Sequence, residues 1–258
     1  MRPPTHRDTL VEQSTRQAEP FSLAPGIRDA DALAQLVAAS GAGADDTVLD
    51  VACGPGLVVA AFAAVARHAT GIDLTPAMLA RARVLVAERA LVNVAWEVGD
   101  ALSLPHRDAT FSVVTSRFAF HHCSDPRAVL AEMTRVCQPG GRVVVVDLLA
   151  SDDPARAAAF HAMEMLRDPS HVRALPLAEL TALFPAVGLP PPVVSYYRLK
   201  VEVEGLLQRS FPAPGDVERI RALFAASLAD DAMGLGIHRR GTEIRFAYRV
   251  AILTAALQ

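Results

Sequence analysis

The stretch Val48-Leu49-Asp50-Val51-Ala52-Cys53-Gly54-Pro55-Gly56, followed one helix length later by Gly71-Ile72-Asp73-Leu74, decides the fold class of this chain. An apolar run holding a single acid ends in a glycine turn. An Ala-rich segment, residues 57–67, comes next, and the chain returns as a second apolar run over residues 69–73. The pattern predicts a strand, a turn, a helix and a second strand, the unit from which parallel sheets are built. Glycines in such a turn let the backbone pass close to a ligand, and an acid at the tip of the next strand can accept both hydroxyls of a ribose. A ligand containing a nucleoside is expected.

Two details narrow that ligand. Counted from Gly54, the G-x-G-x-x-G pattern of dinucleotide sites has Gly54 and Gly56 in place but Val59 at the third position. Close helix–strand packing over a pyrophosphate asks for Gly or Ala there. Asp50, just inside the end of the first strand, would repel a diphosphate but attract an ammonium group. The pattern favours an amino acid joined to a nucleoside over NAD.

Outward from this unit the chain alternates regularly. Residues 29–40 carry helical spacing, Thr75-Pro76 opens a helix running to residue 90, and residues 94–98 and 110–115 read as strands. Pro126 opens a helix to residue 137. Gly140-Gly141 then turns the chain into a near-continuous apolar run, residues 142–149, of the kind buried on both faces. Five strand signals separated by helices require right-handed crossovers, hence a mostly parallel sheet with helices on both sides. Beyond residue 150 the pattern predicts helices over 154–166 and 177–187 and a strand ending near residue 201. Helical segments over 202–231, broken at 212–215, and a final strand over 242–255 complete it. Residues 1–25, with Pro3, Pro4, Pro20 and Pro25 among polar residues, read as a mobile arm with a short helix over 9–18.

Composition sets the outer limits. With 258 residues and 52% apolar content, one α/β domain with a full core is expected. The formal net charge is -3, Lys200 is the single lysine, and the arginines are scattered, so no face for nucleic acid is evident. Cys53, Cys123 and Cys137 are odd in number and lack C-x-x-C spacing, which points to reduced thiols without a disulfide or zinc framework. No metal site is fixed by spacing. The longest apolar run, residues 57–66, is too short to span a bilayer, and residues 1–20 lack the apolar centre of a signal peptide. A soluble, cytoplasmic protein follows as the expectation.

Five segments in order carry a resemblance to a known family. They are the opening stretch at 48–56, Gly71-Ile72-Asp73-Leu74-Thr75-Pro76-Ala77-Met78, Gly99-Asp100-Ala101 with Leu104-Pro105, Phe111-Ser112-Val113-Val114, and Val136-Cys137-Gln138-Pro139-Gly140-Gly141. On these the chain resembles the class I S-adenosylmethionine-dependent methyltransferases, in the group that includes the ubiquinone and menaquinone biosynthesis C-methyltransferases. The resemblance implies an α/β fold: a Rossmann-like, doubly wound, seven-stranded sheet, mostly parallel with the last strand antiparallel, and helices on both faces. It also implies an arm and helix over residues 1–40 covering the cofactor site. Residues 41–258 would form the methyltransferase domain, with substrate-covering insertions near 151–175 and 202–241.

The cofactor implied is S-adenosyl-L-methionine, with S-adenosyl-L-homocysteine as product. By the resemblance, Asp50 and the backbone of Ala52, Cys53, Gly54 and Gly56 face its methionine part, and Asp73 holds the ribose hydroxyls. Leu74 and Met78 pack on the adenine, Asp100 accepts from its amino group, Ala101 offers a backbone N–H, and Arg117 belongs to the same set. The acceptor implied is a small molecule, quinone-like or aromatic, methylated on O or C, and a homodimer is compatible with the resemblance. His121, His122 and His171 are candidates for a general base, against packing or hydrogen-bonding roles. Arg167 and Arg173 could clamp an acid or form a salt-bridge network. An NAD-dependent dehydrogenase, a SAM-fold catalyst of other chemistry and a SAM-binding regulatory protein remain alternatives.

Overall fold

Successive side chains of a strand point to opposite faces, and the buried residues here sort accordingly. In β1 (Thr47–Val51), Val48 enters one apolar cluster while Leu49 and Val51 enter another. The same alternation divides Val113 from Val114 in β4 (Phe111–Arg117), and Val144 and Val146 from Val143 and Val145 in β5 (Cys137–Leu148). Strands apolar on both faces must be covered on both, which makes this sheet the middle layer of three. The structure, a computed structural model, describes residues 3–258.

The first half winds outward from β1. Helix α3 (Leu57–Ala63) crosses to β2 (His68–Asp73), and α4 (Pro76–Glu88) crosses to β3 (Val94–Val98). The chain then returns to the other side of β1 with β4, and α5 (Pro126–Val136) leads to β5. All four pairings, β1 with β2, β2 with β3, β1 with β4 and β4 with β5, are parallel. After α6 (Pro154–Arg167) and α7 (Leu177–Ala186) come β6 (Val193–Glu202), α8 (Val203–Arg209), α9 (Asp216–Ala226), a short β7 (His238–Arg240) and β8 (Glu243–Ala256). The strand order is β3-β2-β1-β4-β5-β8-β6, with β8 antiparallel to both neighbours and β7 paired to β8. The expected seven-stranded path is present. β7, a charged and exposed three-residue strand, carries no apolar pattern and was not foreseen.

The amino-terminal segment differs most from expectation. Instead of a mobile arm with a helix over 9–18, α1 runs His6–Leu23 and α2 follows as Ala30–Ser40; residues 1 and 2 of that arm lie outside the described residues. Thr5 and Asp8 form a reciprocal capping box that starts α1 earlier than the prolines suggested, and Pro20 is accommodated inside it. Gln13, Gln17 and Ala18 are buried where α1 lies against α4 and α8. Among the described residues no helix is long and apolar enough to cross a membrane.

β1 and β4 lie side by side, yet their connections leave in opposite directions, which opens a crevice at their carboxyl ends. The turn after β1 fills its mouth. Gly56 has φ +78°, and a Cβ there would stand 2.5 Å from the Trp96 ring and 2.7 Å from the Ala82 methyl. Gly56→Ala is expected to lower stability by about 2–4 kcal/mol, combining a left-handed alanine with an overfilled contact. Urea denaturation followed by emission of Trp96, the single tryptophan, measures it. A loss below about 0.5 kcal/mol would mean that the ring yields freely.

Candidate functional site

The crevice holds a cavity of about 480 Å³ bounded by the ends of β1, β2 and β4, the turn after β1, α1 and the second half of α8. Three residues of that turn, Ala52, Gly54 and Gly56, have positive φ, so the backbone coils tightly as it leaves the sheet. Asp73, at the tip of β2, ties this coil down. One of its carboxylate oxygens accepts the Gly54 N–H at 2.8 Å and the other accepts the Thr75 N–H at 2.8 Å. The Thr75 side chain bonds the same carboxylate, whose two oxygens retain lone-pair capacity for a ligand diol. Burial raises the pKa of Asp73, while those two backbone donors oppose the shift.

Two opposite charges face the same cavity without meeting. Asp50 is 1% exposed, its Oδ1 has no hydrogen-bond partner, and burial pushes its pKa well up, with the field of Arg117 acting the other way. Arg117 ends β4, donates Nη1–H to the Ile27 carbonyl at 3.0 Å, and leaves Nε and Nη2 without partners. Among the described residues neither belongs to an ion pair. A buried carboxyl whose ionised form is disfavoured, and a buried guanidinium that stacks on the Phe118 ring at 4.5 Å without an anionic partner, would both gain from a zwitterion between them.

At the opposite end Leu74, Met78 and Ala101 form an apolar wall. Asp100 accepts the Leu102 N–H at 3.0 Å and stands 3.3 Å from the Arg7 guanidinium on α1. The cavity lining thus includes Asp50, Ala52, Cys53, Gly54, Asp73, Leu74, Met78, Asp100, Ala101 and Arg117, as the sequence suggested. Gly56 is not among them. A Cβ on it would point toward Trp96 and Ala82.

The three candidate histidines separate in the same way. His121 and His122 line the cavity; His171 does not. The His121 Nδ1–H donates to Asp147 Oδ1 at 2.5 Å, and its backbone N–H donates to the other oxygen of that carboxylate. Burial disfavours the charged ring, but Asp147 outweighs this and raises its pKa above the ordinary histidine value. His122 donates Nδ1–H to the Ser170 carbonyl at 3.0 Å, and burial together with neighbouring His121 lowers it to about 4. His171 is 2% exposed, with both ring nitrogens unpartnered behind the cavity wall. Burial lowers it to about 3, so it stays neutral and packs against His121 and His161 at ring separations of 5.6 and 5.3 Å.

Arg167 and Arg173 do not converge. Arg167 is held by Glu164 at 2.6 and 2.9 Å, whereas Arg173 pairs with exposed Glu179. Sequence reasoning missed Asp147, although its signal was present: one acid within the apolar run of β5. It also missed Arg7, Gln17, Arg209 and Tyr248, which reach the cavity from α1, α8 and β8 and belong to none of the five matching segments.

Residues 49–145 match the family described as methyltransferase domain. An uncharacterized methyltransferase of Bacillus subtilis, YcgJ, is 32% identical over 212 residues, covering 81% of this chain and 84% of that protein. The chain belongs to the class I methyltransferase family. The crystal structure of YcgJ superposes with a TM-score of 0.81 at 28% identity, over 88% of this methyltransferase and 98% of YcgJ. A ubiquinone/menaquinone biosynthesis C-methyltransferase of Roseobacter denitrificans is 37% identical over 120 residues, 45% of this chain and 48% of its own length. A phosphoethanolamine N-methyltransferase of Haemonchus contortus, solved with S-adenosylhomocysteine, shares the fold with a TM-score of 0.71 at 15% identity, over 98% of this chain and 60% of its own. In this methyltransferase the matching segments carry β1 to β5, the half of the sheet that bounds the Asp50, Asp73 and Asp100 part of the cavity.

Proposed function

We propose that this methyltransferase takes its methyl group from S-adenosylmethionine and delivers it to an oxygen or carbon of a small-molecule acceptor. The reading is carried by the unpaired Asp50 and Arg117. Their buried, opposite and separated charges suit the ammonium and carboxylate of the methionine part, which no dinucleotide possesses. Asp73 offers two oxygens to the ribose, and Leu74, Met78, Asp100 and Ala101 flank the adenine. When bound, S-adenosylmethionine supplies an electrophilic methyl group on a sulfonium.

His121 is the base of this scheme. With Nδ1 occupied by Asp147, Nε2 is the nitrogen left to take a proton from the acceptor, and the Asp147 carboxylate stabilises the imidazolium that results. His122, held neutral and bound to Ser170, orients the neighbouring loop. Residues 1–40 act as the cover over the cofactor, and parts of 151–175 and 202–241 enclose the acceptor, excluding water from an in-line displacement. Calorimetric titration with S-adenosylhomocysteine and with NADH tests the reading. Saturable binding of the first and none of the second is expected, and the reverse order would overturn it.

A further inference from the structure

Arg167, Asp168 and Arg209 line the cavity opposite the cofactor residues, with Glu164 buried behind them, and three of these four charged side chains are already satisfied. Glu164, 0% exposed, accepts Arg167 on Oε2 and the Tyr248 hydroxyl on Oε1 at 2.7 Å. Asp168 accepts the Ser170 N–H and hydroxyl on one oxygen and Gln17 on the other. Arg167 is spanned by these two carboxylates. The fourth, Arg209, closes α8 and lines the cavity, and its one bond is from Nη1 to the Gly205 carbonyl at 2.8 Å.

Among the described residues no carboxylate lies within ion-pair distance of Arg209. The nearby Glu202 spends both oxygens on the Glu204 and Gly205 N–H groups at the start of α8. Arg209 is thus a half-buried guanidinium that lines the cavity with no hydrogen-bond partner on Nε or Nη2, and its burial lowers its pKa. The same cavity is lined by the apolar side chains of Leu10, Phe21, Leu199 and Leu206. A planar carboxylate matches the Nε and Nη2 edge with two parallel hydrogen bonds, and an apolar body matches the walls.

We infer that the acceptor is a carboxylic acid with an aromatic or aliphatic body, anchored by Arg209 so that its reacting atom lies toward His121. The identity of that atom rests on the methyltransferase reading above; the anchoring does not. The test titrates matched pairs, phenylacetate with phenylacetamide, 4-hydroxyphenylpropionate with its amide, and octanoate with octanamide, into the protein with and without S-adenosylhomocysteine. Wild type, Arg209→Gln and Arg209→Lys are compared by calorimetry. At least one acid is expected to bind wild type about 10- to 100-fold more tightly than its amide, the worth of a charge-assisted pair. Arg209→Gln should erase that preference, Arg209→Lys should keep part of it, and S-adenosylhomocysteine affinity should be the same in all three.

Acids that bind no better than amides, no acid binding up to about 10 mM, or a preference that survives Arg209→Gln would overturn the assignment. Should Arg209→Gln fail to fold, the acid-to-amide ratios of wild type and Arg209→Lys decide it. Acid preference without S-adenosylhomocysteine binding would sink the cofactor reading and leave Arg209 standing.

Discussion

Replacing Asp73 by alanine is expected to weaken S-adenosylhomocysteine binding by at least about 100-fold. Two hydroxyls bound to a charged acceptor contribute about 1.5–3 kcal/mol each. The same carboxylate also holds the Gly54 and Thr75 N–H groups, so its removal frees the turn that shapes the cavity. Asp73→Asn is not a conservative control, because its NH₂ would face one of those two N–H groups. Calorimetry on folded protein reads the loss, with circular dichroism to confirm the fold. An affinity within threefold of wild type would mean that the ribose lies elsewhere.

Asp147→Asn is expected to cut turnover about 10²- to 10³-fold, the usual worth of a positioned base. The pH profile separates this from mere disturbance of packing. A base acts in its unprotonated form, so with His121 in the proposed role turnover rises as pH climbs through its pKa, which Asp147 holds above the ordinary value. Removing the carboxylate charge leaves burial as the main influence on the ring, and burial lowers the pKa. The acid limb should therefore move to lower pH while the plateau falls, because a weaker base accepts the proton less readily. A loss of turnover with an unmoved limb would assign Asp147 to structure alone. S-adenosylhomocysteine affinity is expected to change less than threefold, since Asp147 contacts His121 and the Leu148 N–H.

The half of the fold that bounds the Asp50 and Asp73 part of the cavity was legible because its signals are local. An apolar run, a glycine turn and an acid at the next strand tip are read within 25 or so consecutive residues, and the structure brings Asp50, Gly54 and Asp73 together through two adjacent strands, β1 and β2. The amino-terminal helix was misread for the opposite reason. Pro3, Pro4 and Pro20 suggested an arm, but the Thr5–Asp8 capping box and the burial of Gln13 and Gln17 against distant elements outweigh what proline disfavours locally. His171 looked like a candidate base from its polar neighbours. Only packing shows that its ring lies behind the cavity wall with both nitrogens enclosed.

The sequence alone determined the parallel sheet, the glycine turn that borders the cavity, and the acids that favour an amino acid joined to a nucleoside over a dinucleotide. Tertiary structure decided which histidine is held by a carboxylate and which cation lines the cavity without a carboxylate partner. His121 meets Asp147 across 26 positions of chain, and Arg209 has no carboxylate partner while Glu164 and Asp168, more than forty residues earlier, are both engaged by Arg167. Whether a charge is paired depends on everything packed around it, and spacing along the chain carries no record of that.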